Sequence, residues 1–393
     1  MPRKQLAMTR VRSRRSLSRL SFCLALLLFL PRVPPVHAQV WTLGPDPILS
    51  IGGLSEDPDY ILSEVVGGLR LNDGSIVLAD RFTNGLRVYD SDGVFIGDIG
   101  GSGEGPGEYE HIRGLDRCAG APVVAFDLHW DMKRYDENLQ LLDERSSLLP
   151  GIGGTPYSFD CGPSGHWFAT GWGNRGAHFQ AGYFVATAPV VLGMGDSILV
   201  DFGERLSSER IGTARDDGTP TGSGPHPFGR RTSLAIGPNR VYMGDGGDFR
   251  IERFDLRGDS LPWVEWDGPD LEITKEHLDI YGSVRLETVS SAQKPALRRW
   301  LKALSEVERF PAYDALRVDP VGNLWVRYFR KPGEADSRWV VLNEAGNLIG
   351  GITLPRSTKL LDIGSDFLLV VGKDDLDVES VHLFRLDRSG TGR

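Results

Sequence analysis

Short apolar runs of five or six residues, bounded by turn residues, follow one another along most of the chain. The pattern is clearest in Gly68–Gly100, where the runs Ser75–Asp80 and Leu86–Asp90 are each preceded or followed by an Asp-Gly turn. Asp-Gly is typical of a two-residue hairpin turn, because both turn positions need a positive φ. Runs bounded in this way predict four short antiparallel strands, and they argue against alternating strands and helices.

This four-strand unit recurs with a period of roughly 47 residues. Three of the units share a nearly constant interval between the aspartates that end their second and third strands: Asp80 to Asp90, Asp127 to Asp136 and Asp245 to Asp255. The six units are Gly68–Gly100, Leu115–Leu142, Tyr157–Val200, Leu234–Trp266, Tyr313–Thr353 and Leu360–Leu386. A repeat of this length in an all-β chain is typical of a propeller, in which each unit forms one blade.

The last unit has only three predicted strands, and the fourth lies at the other end of the chain. Ile48–Pro58 aligns with Ile96–Pro106, the fourth strand and exit loop of the first unit, at a constant offset of 48 residues. We therefore predict an all-β, six-bladed β-propeller over residues 39–393, closed by its own N-terminal strand. Such closure leaves no long unpaired edge at the seam.

Two segments interrupt the repeat. Leu206–Arg231 is rich in Gly, Ser, Thr and Pro, a composition that predicts a long loop. Pro269–Ala312 carries a capping-box pattern at Ser290–Gln293, followed by apolar residues with helical spacing from Leu297 to Leu304. We predict that residues 269–312 form a helical insertion between blades 4 and 5.

The first 38 residues have the layout of a signal peptide. They contain eight of the 44 basic residues and no acidic one, and their apolar run, Leu20–Leu30, is shorter than the roughly 20 residues that span a bilayer. Cleavage is expected after Ala38. The general secretory route and a twin-arginine route, suggested by Arg14-Arg15, both stay open, and either predicts a periplasmic or secreted protein.

The expected mature chain is strongly acidic. Without the leader, 36 basic residues stand against 53 acidic ones, a formal net charge of −17. Nucleic acid and anionic lipid need a basic footprint, so neither is expected as a partner. No other apolar run in the sequence is long enough to cross a membrane. A protein, a peptide or a carbohydrate is the expected ligand, and we expect a monomer.

Two cysteines remain after processing, in a compartment where disulfides persist. Cys118 and Cys161 each lie at the first hairpin turn of a blade, and their blades are neighbours. Equivalent turns of neighbouring blades lie on the same face of a propeller. A Cys118–Cys161 disulfide is therefore predicted, with two separate buried thiols as the alternative.

The turns between second and third strands are expected to gather at one mouth of the central channel. Asp80, Asp127 and Asp245 end the second strand of three blades, and Asp374 lies near that position in the last. A ring of carboxylates there could bind a divalent cation through its oxygens. Alternatively, each carboxylate could accept hydrogen bonds from its own loop.

The same mouth should receive further polar and aromatic side chains, which are the lining that a pocket for a small molecule or peptide uses. The predicted ligand-binding residues are Asp80, Arg81, Asn84, Asp127, His129, Trp130, Trp172, Arg175, His178, Asp245, Tyr328, Arg330 and Asp374. Glycine-rich Gly100–Gly107 is interpreted as a connection between blades, because it lacks the Lys and Ser/Thr of a phosphate loop and does not open a helix. No catalytic residue is nominated from the sequence.

Three motifs carry a resemblance to a known family. Ile99–Tyr109 after an Asp-Gly hairpin, Pro227–Arg231 and Gly322–Val326 resemble a family of exported bacterial six-bladed propellers, similar to NHL-repeat and TolB-like propellers. The resemblance covers nearly the whole mature chain. It implies the propeller fold and supplies neither an activity nor catalytic residues.

Three hypotheses about function follow. The first is a ligand-binding or protein-binding scaffold of the cell envelope, since the sequence describes an acidic, rigid ring without a readable catalytic cluster. The second is a metal-dependent hydrolase of the lactonase type, with its site in the central mouth, and it depends on fold analogy alone. The third is a sugar-binding propeller, which the aromatic residues at the mouth would suit. The sequence assigns no cofactor.

Overall fold

The computed structural model describes residues 39–127, 131–145, 152, 156–171, 180–215 and 217–389. The predicted leader, residues 1–38, lies outside this range. The described chain opens with three short strands: β1 (Gln39–Val40), β2 (Thr42–Leu43) and β3 (Leu49–Gly52). A 3₁₀ turn at Pro58–Tyr60 then leads to the first blade.

Blades 1 to 3 follow in chain order. Blade 1 comprises β4 (Val65–Arg70), β5 (Ile76–Asp80), β6 (Gly85–Tyr89) and β7 (Phe95–Gly100). Blade 2 comprises β8 (Gly114–Cys118), β9 (Ala121–Phe126), β10 (Met132–Tyr135) and β11 (Leu141–Arg145). Blade 3 comprises β12 (Pro156–Cys161), β13 (His166–Gly171), β14 (Gly182–Met194), β15 (Ser197–Ala214) and β16 (Pro220–Pro225).

Blades 4 to 6 complete the set. Blade 4 comprises β17 (Ser233–Ile236), β18 (Arg240–Gly244), β19 (Arg250–Asp255) and β20 (Ser260–Glu265). Blade 5 comprises β21 (Tyr313–Val318), β22 (Leu324–Tyr328), β23 (Asp336–Leu342) and β24 (Leu348–Pro355). Blade 6 comprises β25 (Lys359–Ile363), β26 (Phe367–Lys373) and β27 (Glu379–Asp387).

The N-terminal strands complete blade 6 and reach blade 5. β3 pairs antiparallel with β27, and Ile51 lies opposite Val381 in the register. β2 also pairs with β27, whereas β1 pairs in parallel with β24 of blade 5. The closure predicted from the sequence is therefore present, and the N-terminus additionally bridges the last two blades.

Hydrophobic clusters join each blade to the next around the ring. Successive blades share apolar clusters, including blades 6 and 1, which share Ile51, Leu78 and Leu369. Blades 2 and 3 meet through the partly buried Cys118 and Phe159. Each central strand is covered on both faces, which explains why the second strands β5 and β9 are almost entirely apolar. The core is thus six layers between blades.

One glycine permits the closing segment to pack. Trp41, between β1 and β2, is buried against Trp325 of blade 5, with ring centroids 5.6 Å apart. A Cβ at Gly350 would lie 2.3 Å from the Trp41 ring. Only glycine leaves room for the indole here, so β24 can receive the parallel N-terminal strand.

Leu206–Arg231, expected to be a loop, instead extends blade 3. Its first part belongs to the 18-residue strand β15, which turns into β16, and Arg210 pairs with Pro225. The composition resembles a loop, but long-range pairing with β14 satisfies the backbone, and Ile211 and Phe228 are buried against the helical insertion. Local composition could not reveal those partners.

The insertion between blades 4 and 5 is helical, as expected. It contains α1 (Lys275–Glu287), α2 (Lys294–Ala303) and a 3₁₀ turn at Leu304–Glu306. The Thr274 side chain caps α1, and Ser290 and Gln293 hydrogen-bond to each other just before α2. In the part of the chain that the structure describes, neither the length nor the apolar character of any helix suffices to cross a bilayer.

Replacing Ile51 tests the closing strand. The side chain is 1% exposed among residues of blades 6 and 1, so Ile51→Ala should lower the free energy of unfolding by about 2–5 kcal/mol. Ile48 lies three residues earlier and is 59% exposed, so Ile48→Ala should change it by less than about 0.5 kcal/mol. Denaturant unfolding measures both, and equal effects would contradict closure through β3.

His226 makes the joint between blade 3 and the helices sensitive to acid. Its Nδ1 accepts a hydrogen bond from the Phe228 amide, and burial lowers its pKa to about 4. Between pH 6.5, roughly the ordinary pKa of histidine, and pH 4, His226 binds a proton in the unfolded chain more readily than in the folded one. The free energy of unfolding should therefore decrease as the pH falls through this range. His226→Asn should flatten this slope in unfolding measured against pH, whereas His166→Asn, at the start of β13, should leave it unchanged.

Candidate functional site

The central channel has two mouths, which the inner strands define. The first strand of each blade lies innermost and contacts the corresponding strands of neighbouring blades. The turns between first and second strands surround one end, which we call the first-turn mouth. The turns between second and third strands surround the opposite end, the second-turn mouth, where the sequence analysis expected the site.

At the second-turn mouth, the predicted carboxylates bind their own loops. Asp80 is fully buried and accepts hydrogen bonds from the Ser63 and Phe82 amides, and burial raises its pKa. Asp127 accepts from the amide of Asp131. The same arrangement occurs at Asp245, with the amide of Gly247, and at Asp374, with the amides of Leu376 and Val378.

Most other predicted residues at this mouth also have structural contacts. Asn84 ties blade 1 to the next blade, because its amide group bonds to the Tyr109 carbonyl and its carbonyl to the Ile112 amide. The Tyr328 hydroxyl receives a hydrogen bond from Trp266 at 3.0 Å. Arg330 donates to a backbone carbonyl at 3.4 Å, and Arg81 pairs with Glu64 at 3.4 Å. His129, Trp130, Trp172, Arg175 and His178 lie outside the described residues.

A divalent cation has no fitting donor set in the described ranges. Nowhere in them do three or more His, Cys, Asp or Glu side chains converge as ligands. The carboxylates of Asp80, Asp127 and Asp245 are instead occupied by amide donors or, for Asp245, also by Arg230 at 3.2 Å. No reaction step through a metal follows from these residues.

The first-turn mouth contains a cavity of about 420 Å³ that is lined by all six blades. Pairing with the second strands identifies the equivalent inner-strand residues of blades 1 to 6 as Leu69, Asp116, Asp160, Ala235, Arg317 and Asp362. All but Ala235 line the cavity. One level of the channel thus combines three acids, one base and apolar surface.

Asp116 and Asp160 form an acid pair on the inner strands of blades 2 and 3. Their carboxyl groups interact with each other and both line the cavity. Burial raises the pKa of both, and the negative charge of Asp116 raises that of Asp160 further. Asp160 also accepts a hydrogen bond from the Ile236 amide at 2.9 Å. The pair therefore presents two carboxyl groups with raised pKa values to the cavity.

Arg317 supplies the cavity with an available guanidinium. Its charge lowers the pKa of both acids and so opposes the effect of burial. Arg317 is exposed, and within the described residues its side chain has neither a hydrogen-bond nor an ion-pair partner. Five N–H donors are thus free to bind an anion beside the acid pair.

The remaining charges at this mouth are already paired. Arg117 forms two hydrogen bonds with the buried Asp362, at 2.5 and 2.7 Å. Asp319 is buried and accepts from Arg388 at 2.8 Å and from the Trp325 indole at 2.9 Å. These contacts hold blades in place, and they leave Asp116, Asp160 and Arg317 as the groups available to a ligand.

A disulfide lies directly beside the acid pair. The structure joins Cys118, at the end of β8, to Cys161, at the end of β12, with their Cα atoms 5.2 Å apart. Asp116 precedes one cysteine by two residues, and Asp160 precedes the other by one. The cross-link therefore restricts the relative movement of the two strands that carry the acids.

Asp116, Asp160 and Arg317 were not among the ligand-binding residues predicted from the sequence. A signal was nevertheless available. The inner strand of a propeller is expected to be apolar or small, yet equivalent positions in blades 2, 3, 5 and 6 carry charged residues. Charged residues at buried repeat positions indicate either an ion pair or a ligand.

Six radially packed sheets define the chain as a six-bladed β-propeller. The family model DUF5128, described as a 6-bladed beta-propeller, matches residues 56–116. The predicted resemblance to propellers of this kind is thereby confirmed. No curated protein matches the chain.

Several solved structures are similar to this chain. One is a protein of Bacteroides fragilis NCTC 9343 that is described as exported. It is 13% identical to this chain, the match covers 90% of this chain and 97% of that chain, and the TM-score is 0.46. A member of the duf4221 family from Bacteroides vulgatus has 11% identity over 89% and 99%, with a TM-score of 0.46. The calcium-binding protein regucalcin from Agrobacterium tumefaciens has 12% identity over 84% and 92%, with a TM-score of 0.42.

Two acid-to-amide substitutions should have opposite effects at this mouth. Because the folded-state pKa of Asp160 is raised, folding loses stability as the pH rises above the ordinary aspartate value, and Asp160→Asn should remove that loss. Asp362→Asn breaks the pairing with Arg117 and should lower the free energy of unfolding by roughly 1–3 kcal/mol. Denaturant unfolding at pH 8 measures both, and a loss of stability in Asp160→Asn would contradict the strained acid pair.

Proposed function

We propose that this protein is an exported ligand-binding propeller whose site is the first-turn mouth of its channel. The observation that carries the proposal is that one cavity contains both Arg317, whose guanidinium has no partner among the described residues, and two acids, Asp116 and Asp160, whose pKa values are raised. A carboxyl group whose pKa is strongly perturbed and that lies in a cleft is a candidate functional group. No described contact within the fold requires Arg317 to be charged.

The lining indicates the chemistry of the ligand. A guanidinium binds a carboxylate through two parallel hydrogen bonds, and carboxyl groups bind hydroxyls. Leu69, Ile236 and several prolines add apolar surface between these groups. Together they favour a small, hydroxyl-rich molecule that carries one negative charge, such as a sugar acid. The cavity volume suits a ligand of that size.

A location in the periplasm or outside the cell is part of the proposal. The leader pattern of residues 1–38 supports it, and so does a disulfide of the kind that an oxidising compartment maintains. A binding role in the cell envelope, with the rigid ring as scaffold, is consistent with both. The ligand then reaches the channel from solvent.

Glucuronate, glucose and glucosamine provide the probes for this site. We expect glucuronate to bind the mature protein more tightly than glucose or glucosamine in isothermal titration calorimetry. Arg317→Gln should weaken glucuronate binding by about tenfold or more, because it removes hydrogen bonds between charged groups. Glucose binding should change much less.

Arg257→Gln serves as the matched control. Arg257 lies on the same face of the ring, in the turn after β19, and its side chain is 82% exposed. Its replacement should leave glucuronate binding unchanged. The proposed site is ruled out if none of the three sugars binds, or if both arginine variants weaken binding equally.

A further inference from the structure

The Cys118–Cys161 disulfide lies in the wall between two cavities. One is the channel cavity of about 420 Å³ at the first-turn mouth. The other, of about 550 Å³, lies between blades 2 and 3, and Met132 of blade 2 and Trp167 of blade 3 contribute to its lining. Both cysteines and Ala119 line both cavities. The bond therefore separates the channel from the space between these two blades.

The cavity between blades 2 and 3 reaches the outer surface. Its lining includes Arg145, at the end of β11, and Asp196, in the turn between β14 and β15. These side chains are 43% and 98% exposed and lie 3.8 Å apart, a distance and exposure at which an ion pair contributes little. Cys118 is half-buried, whereas Cys161 is buried. The cavity therefore gives a thiol in solvent a route to the disulfide, with Cys118 as its more accessible end.

Apolar packing holds blades 2 and 3 together less firmly than other blades. Within the described residues, the apolar clusters of these two blades have only Cys118 and Phe159 in common. The rings of Phe126 and Phe159 are 5.3 Å apart. At the joint between blades 1 and 2, by contrast, fully buried residues of both blades, such as Val77 and Val123, form one cluster. Loss of the cross-link should therefore allow β8 and β12 to move relative to each other.

The two strands that the bond joins carry the acids of the proposed ligand site. Asp116 lies two residues before Cys118, and Asp160 lies one residue before Cys161. The charge of Asp116 raises the pKa of Asp160, so the two carboxyl groups repel each other when both are ionised. Once the bond is broken, this repulsion favours separation of β8 and β12. A ligand that contacts both acids then loses one of these contacts.

We propose that the Cys118–Cys161 disulfide is a site of reversible thiol–disulfide exchange with an external dithiol, and that its redox state controls ligand binding at the first-turn mouth. The oxidised form holds the two acids together and binds the ligand. The reduced form separates them and releases it. This control acts on the ligand site proposed above, and the inference rests on that proposed function.

The exchange takes place in two steps. A thiolate of the dithiol attacks the Cys118 sulfur, forms a mixed disulfide and releases the Cys161 thiolate, which takes up a proton. The second thiol of the reductant then loses its proton and closes the reductant's own disulfide, which releases Cys118 as a thiol. Two electrons and two protons pass from the dithiol to the protein. The Arg117 carbonyl, 3.7 Å from the Cys161 sulfur, can accept a hydrogen bond from the new thiol.

Reduction of the folded protein tests access to the bond. Without residues 1–38, which contain Cys23, the chain has only these two cysteines, so two new thiols per chain report the reaction. We expect dithiothreitol, without denaturant, to produce them at a rate proportional to its concentration, while circular dichroism shows the protein still folded. A rate that is independent of dithiothreitol, or that rises steeply in urea below the unfolding transition, would show that only the unfolded chain reacts. Either result would overturn the proposal.

Glucuronate affinity tests the control of binding. In calorimetry, the reduced protein should bind glucuronate at least about tenfold more weakly than the oxidised protein, because the ligand loses a contact with one acid. The double variant Cys118→Ser, Cys161→Ser should match the reduced protein and should not respond to dithiothreitol. Thermal unfolding checks that all three forms are folded. Equal or tighter binding by the reduced protein would contradict the proposal.

A measurement without ligand separates this inference from the proposed function. If glucuronate binds neither form, the proposed function fails, but the effect of the bond on the acids can still be measured. In the oxidised protein, the free energy of unfolding should decrease as the pH rises above the ordinary aspartate pKa, because burial and Asp116 raise the pKa of Asp160. Reduction should make this decrease smaller, since Asp116 moves away, whereas the effect of the lost cross-link on the unfolded chain is the same at every pH. Equal slopes in both forms would overturn the inference, whether or not glucuronate binds.

Discussion

The packing of each blade against the next is the constraint on which the structure depends. No single sheet has a core of its own, because the buried side chains lie between sheets, in clusters that each draw on two blades. A ring of this kind is stable only when the last interface forms. The pairing of β3 with β27 and the packing of Trp41 against Trp325 provide that interface.

The same constraint explains why the two channel mouths differ from the rest of the surface. Side chains inside the interfaces are held by packing. The aspartates in the turns accept hydrogen bonds from backbone amides of the same turn, as Asp374 does from the Leu376 amide. The inner strands also place charged groups in the channel that have few partners among the described residues. Arg317 has neither a hydrogen-bond nor an ion-pair partner there, and Lys359 lies in surroundings that lower its pKa. Rigid walls keep these groups in position without help from a ligand.

Much of the fold was predictable because its signals are local. The Asp-Gly turns and apolar runs of blade 1 specify hairpins, and the match of Ile48–Pro58 to Ile96–Pro106 specifies the closure. Leu206–Arg231 was not predictable, since its strands depend on β14 and on the helices. The composition of this segment disfavours strands, but its pairing with a distant part of the chain determines the structure.

The site was harder to predict for a related reason. Repetition drew attention to Asp80, Asp127 and Asp245, but a residue that every blade repeats serves what every blade needs, which here is a hydrogen-bonded turn. The acids and the arginine at the first-turn mouth differ from blade to blade at one equivalent position. The candidate site therefore lies at the position where the residue type changes from blade to blade, and not at the position where every blade has the same residue.

The closing pair joins residues from opposite ends of the polypeptide, Gly52 and Ser380. Almost the whole chain must therefore emerge from a ribosome or a translocation pore before the ring can form. Until then β3 lacks its partner strand β27, and its unpaired edges can pair with other chains and aggregate. Contacts between such distant segments also form slowly. A nascent or truncated chain is consequently vulnerable to proteases and dependent on chaperones, and this selects for complete molecules.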